Sequence, residues 1–407
     1  MATPTTNLLK PIIDELLGEA AFLYIAKARK LREEKGVDVI SFGVGQPDIP
    51  TFDYIVEAAI EALRDRFTGY TETAGIPELR RAIADYLNER YNAGVEEDEI
   101  IVTTGAKTAI FLAIASYIGI GDEIIVPEPS YPAYPEVARA LGGRPVYVKL
   151  SWKGQDKGFY LDIEKIEQAI TDRTKMIVIN NPHNPTGTLF DKNQLDELMD
   201  IARRKRILVL SDEIYDNFVY GSKFHSVLEY PDWKDYVLYV NGFSKTYSMT
   251  GWRLGYLVVR REIAEKLKRL AVNIYSCPPS ISQKAGAAAL RGPQTDRDRM
   301  IGEFERRRDV IIEELRKVPG FEVAIPKGAF YVFPRVAKVL EKTNMTTEQF
   351  ADHLLYSRGV VVLPGTVFPD KAGEGYLRLS YAVSVDRIKE GVARIKEEVE
   401  EILSKSK

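Results

Sequence analysis

Through the first two thirds of the chain, short apolar runs rich in Val and Ile alternate with stretches whose apolar residues recur at helical spacing. The runs fall at residues 99–104, 123–127, 145–150, 176–180, 207–211, 237–241 and 254–259. Seven strands interleaved with helices predict an α/β fold with a largely parallel sheet, because parallel neighbours need a crossover and a helix usually supplies it. In such sheets ligands gather beyond the carboxyl ends of the strands. Asn184, Asp212 and Lys245 each follow one of these runs closely, and at Gly105 a run passes straight into an apolar, helix-like stretch that begins near Lys107.

Beyond Pro293 the texture changes. A long charged helical pattern covers residues 295–318, then PGFEVAIPKGAFYVFP (319–334) alternates apolar residues between turn signals, and further helix and strand patterns follow. This predicts a smaller α+β domain over 294–407, bridged by the long helix to a large α/β domain over 49–293. Residues 1–48 hold a polar arm, a predicted helix over 11–34 and a strand within VDVISFGVG, with no βα repeat of their own. They are expected to fold against the C-terminal domain. No internal repeat or low-complexity linker is present.

At 407 residues the chain exceeds the size at which a single core stops growing, which agrees with a division into domains. Its 56 basic and 59 acidic residues leave a net charge of −3, which provides no field for nucleic acid or an anionic membrane. The longest apolar stretch, residues 109–120, is shorter than the roughly 20 residues of a membrane span. MATPTTNLLKPIIDELLGEA, at the start, lacks the basic, apolar and small-residue regions of a secretion signal, so a cytoplasmic protein is expected. Cys277 is the only cysteine, and with His183, His225 and His353 the only histidines no metal site is spelled out. The high share of charged residues, 28%, with few Cys, Met and His, points to a thermophilic source.

Four segments carry chemistry. In NGFSKTYSMTGWRLG (241–255), Lys245 follows an apolar strand, with Ser244 before it and Arg253 beyond. A desolvated amine beside an anion-binding cation is what a Schiff-base lysine needs. Taken singly each signal is ordinary: most lysines are solvated, Asp212 after a strand reads as a helix N-cap, and the NPTG in NNPHNPTG (180–187) is a common turn. Together, NNPHNPTG, SDEIY (211–215), the lysine segment and YLRLSYA (376–382) resemble, in order, the signature segments of the class I aminotransferases, the pyridoxal-phosphate enzymes of fold type I. The resemblance extends from about Val39 to Ile395.

That resemblance implies a set of roles. Lys245 would bind pyridoxal 5′-phosphate and act as general base, and Asp212 would pair with the pyridine nitrogen, whose protonation makes the ring an electron sink. Asn184 and Tyr215 would hold the phenolic oxygen. Gly105, Ala106 and Lys107 at a helix start, with Ser244 and Arg253, would hold the phosphate. Tyr131 in EPSYPAYPE would stack on the ring. Tyr70 in TGYTETAGIPELR would reach the phosphate of a second subunit, making a homodimer with shared active sites. Arg378 would grip the substrate carboxylate, Gly45 would meet it through its backbone, and Tyr131 and Asn184 would border the substrate as well.

The implied reaction transfers an amino group between an L-amino acid and a 2-oxo acid. Substrate choice is less local. One group of aspartate aminotransferases places an arginine ahead of a YSNPP-like segment, but in VNIYSCPP the aligned position is Val272 or a neighbour. Another places a lysine in a GGK-type turn, which GAK with Lys107 resembles, and the overall pattern is most similar to archaeal aspartate aminotransferases. Aspartate and glutamate are therefore the expected donors, with aromatic or broad-specificity transamination and a C–S β-lyase as alternatives. A dehydrogenase would need GxGxxG, which GVGQPD (43–48) does not match, and a cofactor sensor fused to a DNA-binding element has too little room before Val39.

Overall fold

The computed structural model describes residues 8–18, 20–369 and 371–405. The expected polar arm at residues 1–7 lies outside them. Seven strands form the central sheet: β1 (Ile100–Thr103), β2 (Glu123–Glu128), β3 (Arg144–Lys149), β4 (Thr174–Asn180), β5 (Leu208–Asp212), β6 (Val237–Gly242) and β7 (Gly255–Val258). Their order is β1-β7-β6-β5-β4-β2-β3. β7 runs antiparallel to both of its neighbours, and the other neighbouring pairs are parallel. The seven expected strands are present, with ends displaced by a residue or two.

The strands read as continuous apolar runs because both faces are covered. Ile101, Ile124, Val126, Val178, Leu210 and Val240 pack in one core with the helix Ala106–Ala115. Their alternate neighbours Ile100, Val102, Ile125, Ile177, Val209 and Tyr239 belong to the other. The register pairs Asn180 with Asp212 and Asp212 with Val240, so Asp212 is the last rung of the middle strand and not a loop residue after it.

A second group of strands lies apart from this sheet. Tyr331–Val332, Leu363–Pro364 and Leu377–Ser380 form a small antiparallel sheet, and Ile40–Ser41 pairs in parallel with Val360–Val361. The long charged pattern is the helix Thr295–Leu315, which packs against Val385–Lys405. The expected helix over 11–34 is instead two, Ile12–Glu15 and Ala20–Lys35. The chain turns at Leu16–Gly18, where Leu17 donates its N–H to Glu136 Oε2 at 2.8 Å, a contact 119 residues away in sequence. No helix among the described residues is long and apolar enough to cross a membrane.

Two junctions bring distant segments to the carboxyl ends of the strands. Lys327 and Gly328 both donate backbone N–H groups to Gly187 O at 3.0 Å, and Ala329 donates to Phe218 O at 2.9 Å, which carries Tyr331 over the sheet. At the second, a Cβ on Gly255 would lie 2.4 Å from Ala106 N and 2.6 Å from Gly105 C. Only glycine lets β7 pass this close to the start of the helix Ala106–Ala115. Gly255→Ala should therefore push the helix start away at a cost of about 1–3 kcal/mol. Thermal unfolding checks this, and an unchanged midpoint would mean that the backbone has slack there.

Candidate active site

At the carboxyl ends of the parallel strands a cavity of about 550 Å³ is lined by Gly45, Ala106, Lys107, Tyr131, Asn184, Asp212, Tyr215, Ser244, Lys245, Arg253 and Arg378. Eleven of the thirteen residues singled out from sequence thus meet on one surface. Gly105 sits just behind it, as the N-cap of Ala106–Ala115. Tyr70 is not part of this wall and is 93% exposed. The arginine substitute considered at Val272 is an exposed position on the helix Arg261–Tyr275, away from the cavity.

Asp212 is the buried anion of the site. Burial raises its carboxyl to about 6, against the hydrogen bond it accepts from Tyr134 Oη at 2.8 Å, another from Ile214 N–H at 3.1 Å, and the charge of Lys245. A cationic ring nitrogen beside it would offset the desolvation. Lys245 follows β6 in a tight turn and donates from Nζ to Gly45 O at 2.6 Å, so the amine sits between the sheet and the N-terminal loop.

The other end of the cavity is a helix start with a cation beside it. Gly105 has φ +92°, and a Cβ there would come 2.3 Å from Arg253 Nη2. Arg253 itself has φ +55°, a left-handed backbone that only glycine adopts freely, and its guanidinium donates to Thr250 O at 2.8 Å and Thr104 O at 3.5 Å. A glycine whose missing side chain leaves room for a guanidinium, at the positive end of a helix dipole and beside Ser244, makes a cradle for a dianion. With Lys245 and Asp212 in the same cavity, the residues present fit a planar phosphate-bearing aldehyde with a basic ring nitrogen.

Arg378, 5% exposed, projects from the small antiparallel sheet. It donates to Asn184 Oδ1 at 3.3 Å and to Gly43 O at 2.6 Å, and its guanidinium lies 4.6 Å from the centre of the Tyr331 ring. With its amide oxygen turned to Arg378, Asn184 presents its Nδ2 donors elsewhere in the cavity. Asn184 is held in turn by its own N–H to Asn180 Oδ1 at 2.8 Å. Tyr215 shares a hydrogen bond of 2.8 Å with Tyr331 Oη, and burial first, then Tyr331, keeps its hydroxyl well above the usual phenol range.

Three residues of this site were missed by sequence reasoning: Tyr134, Asn180 and Tyr331. Asn180 stood inside a recognised segment, and its side chain bridges Asp212 O at 2.9 Å to Asn184. Tyr134 follows Tyr131 by three residues, one helical turn, which was the available signal. Tyr331 had none beyond the alternation in AFYVFP. A Cβ at Gly45 would lie 2.3 Å from its hydroxyl, so the glycine is needed for that tyrosine as well as for the loop.

Comparison with known proteins gives the same picture over nearly the whole chain. A family model described as aminotransferase class I and II matches residues 37–395. The aspartate aminotransferase of Sulfolobus acidocaldarius is 49% identical over 95% of this chain and 96% of its own length. Among solved structures, the aspartate aminotransferase from Thermus thermophilus with maleate superposes with a TM-score of 0.89 at 34% identity, covering 96% of this chain and 99% of that one. An aromatic aminotransferase from Pyrococcus horikoshii has a TM-score of 0.85 at 33% identity, covering 93% and 99%.

The raised Asp212 carboxyl has a consequence for stability. Its folded value of about 6 lies above the ordinary 3.8, so the folded protein binds the proton more tightly than the unfolded chain. The associated stability is full below the ordinary value and is lost as pH rises from there through about 6. Two units correspond to about 3 kcal/mol. In cofactor-free protein, Asp212→Asn should leave stability near pH 4 little changed and raise it by about that amount, relative to wild type, at pH 8. Denaturant unfolding at the two pH values measures the difference; equal effects at both would mean that the carboxyl titrates normally.

Proposed function

The chain belongs to the aminotransferase class I and II family and is a pyridoxal-phosphate-dependent aminotransferase, and from that premise we propose that it exchanges amino groups among dicarboxylic partners, aspartate and glutamate with their 2-oxo acids. The observation that carries this reading is the set of cations on the cavity wall. Four side chains supply them: Lys107, Lys245, Arg253 and Arg378. Lys245 is committed to the cofactor, Arg253 to its phosphate and Arg378 to the substrate α-carboxylate. Lys107, at the second position of the helix Ala106–Ala115 with Nζ 5.7 Å from the centre of the Tyr131 ring, is assigned to a distal carboxylate. The name of the Sulfolobus relative and the dicarboxylate maleate in the Thermus structure support the same reading.

Bound pyridoxal phosphate supplies a protonated, planar ring that takes up the electron pair left when the substrate α-carbon loses its proton. Lys245 Nζ would hold the cofactor and act as the base that takes and returns that proton. Asp212 would keep the ring nitrogen protonated. Ser244, Arg253 and the N–H groups at Ala106 and Lys107 would hold the phosphate, with Gly105 leaving space for the guanidinium, Asn184 and Tyr215 would hold the phenolic oxygen, and Tyr131 would stack on the ring. Arg378 is oriented in advance by Asn184 and Gly43, so a carboxylate meets a guanidinium already aimed. Gly45 brings its backbone to the same carboxylate. In this reading residues 49–293 hold the cofactor, while 1–48 and 294–407 form the smaller domain, with the pairing of Ile40–Ser41 and Val360–Val361 in its support.

Lys107→Ala tests the substrate reading. A charge-assisted hydrogen bond is worth about 1.5–3 kcal/mol, so kcat/KM for aspartate should fall roughly 10- to 150-fold. A neutral donor such as phenylalanine should be hardly affected. Equal losses would assign the lysine to the phosphate, and a wild-type preference for aromatic donors would refute the dicarboxylate reading while leaving transamination in place.

The enzyme is further proposed to be a homodimer with shared sites. Tyr70 is exposed, yet its segment is anchored: Gln283, fully buried, accepts from Ile76 N–H at 2.7 Å and donates to Thr71 Oγ1 at 2.9 Å. An exposed aromatic residue on an anchored loop is suited to a partner's site. Mixing Tyr70→Phe and Lys245→Ala subunits should restore activity in the hybrid, where one site keeps both residues, above the sum of the two separate variants. No restoration would place Tyr70 in its own subunit's site or outside catalysis.

A further inference from the structure

The turn that follows Lys245 contains two strained residues. Ser248 has φ +53° and Arg253 φ +55°, and neither is a glycine. A residue with a Cβ holds this left-handed backbone only where its surroundings fix it. Residues 249–252 between them belong to no strand or regular helix. Backbone bonds within the turn are long: Ser248 N–H donates to Lys245 O at 3.3 Å, and Trp252 N–H to Met249 O at 3.3 Å.

A distant part of the chain braces this turn. Thr51 Oγ1 donates its proton to Ser248 O at 2.7 Å and accepts from Trp252 Nε1 at 2.9 Å. One hydroxyl thus joins the first strained residue to the immediate neighbour of the second. Ser282 Oγ donates to Trp252 O at 2.8 Å, so the tryptophan is held at its indole and at its carbonyl. Thr51 itself stands on a fixed base. Asp48 accepts from Arg307 Nη1 at 2.6 Å, and Arg307, 6% exposed on the helix Thr295–Leu315, also donates from Nε to Glu303 Oε1 at 2.9 Å. On the other side of Thr51, buried Phe52 leads into the helix Asp53–Arg64, which packs against the helix Ser280–Arg291 that carries Ser282.

We propose that Thr51 is a positioning residue for the phosphate end of the site: its hydroxyl holds the 248–253 turn in the strained form that presents the Arg253 guanidinium at the start of the helix Ala106–Ala115. The chemistry it serves is recognition of a phosphate monoester dianion. Trp252 and Arg253 are consecutive, so a backbone rotation that frees the indole also swings the guanidinium. In the braced form that guanidinium donates to Thr250 O at 2.8 Å and Thr104 O at 3.5 Å and fills the space a Cβ at Gly105 would take. A relaxed φ at Arg253 would carry it out of that space. Strain held in advance removes an ordering cost at the moment the dianion arrives. The segment 45–51 touches the lysine turn at both its ends, since Gly45 O accepts from Lys245 Nζ at 2.6 Å. The link to phosphate rests on the reading of Arg253 as its cation; the brace between Thr51 and the strained turn does not.

Thr51→Val keeps the shape of the side chain and removes both hydrogen bonds. In the cofactor-free protein it should weaken binding of pyridoxal 5′-phosphate about 10-fold, and of inorganic phosphate by a similar factor. Binding of pyridoxal, which has no phosphate, should stay within about twofold of wild type, and Thr51→Ser, which keeps the hydroxyl, should do so for all three ligands. Amide hydrogen exchange across residues 248–253 should speed up about 10-fold in Thr51→Val and not in Thr51→Ser. Unchanged phosphate affinity or unchanged exchange in the valine variant overturns the proposal. An equal loss of pyridoxal binding also overturns it, since the hydroxyl would then serve the whole lysine turn. Trp252→Phe, which removes only the indole donor, should shift the same affinities the same way by about 3-fold and serves if the valine variant does not fold. Phosphate affinity equal in wild type and Arg253→Gln would sink the reading of Arg253 alone, leaving the brace to stand or fall on the exchange rates.

Discussion

A carboxyl group taken out of water at the end of the middle strand governs the arrangement around it. Asp212 is the last rung of β5, between Asn180 on β4 and Val240 on β6, and it cannot turn aside without breaking the ladder. A buried carboxylate needs donors or a cation. Here the donors are Tyr134 Oη and the backbone N–H of Ile214, with the charge of Lys245 nearby. Burial nevertheless leaves the carboxyl raised to about 6, an environment that favours a cationic partner, the role proposed for the ring nitrogen of the cofactor.

Around that fixed point the cavity is assembled from segments far apart in sequence. Lys245 reaches from the sheet to the carbonyl of Gly45, while Arg378 reaches from the small sheet to Asn184 and the carbonyl of Gly43. The N-terminal loop is thus gripped from both sides. Tyr331 sits at the crossing point, bonded to Tyr215, stacked with Arg378 and pressed against Gly45. Close backbone approaches make the crossing possible: Gly187, with φ +69°, takes two amides from the 327–328 turn, and a Cβ there would stand 2.6 Å from Tyr331 O. The contacts that orient Arg378 also attach the smaller sheet, so a change at either is felt at both.

Six of the seven strands were legible because they are buried on both faces, which forces a dense apolar, β-branched run; only the edge strand β3 is largely half-buried or exposed. Chemistry was legible where it falls at strand ends, as with Asn184, Asp212 and Lys245, since the loop after a parallel strand is the place where polar residues face a ligand. Nothing local in residues 11–34 reveals that Leu17 bonds to Glu136 and divides the helix, and the pairing with Val240 that makes Asp212 the end of β5 is not a property of the segment SDEIY.

What the sequence determined by itself was the run of strands and helices in the large sheet and most of the side chains that line its cavity, both written in residue type and spacing. Tertiary structure alone decided which groups converge and how they ionise. Tyr134 and Tyr331 are ordinary tyrosines until packing sets one against Asp212 and the other between Tyr215 and Arg378. Tyr70 is exposed and does not line its own chain's cavity. The elevated carboxyl of Asp212, the neutral His183 and the unmet hydroxyl of Ser130 exist only because residues distant along the chain exclude water from them. Burial is a property of the assembled surface, and no local run of residues encodes it.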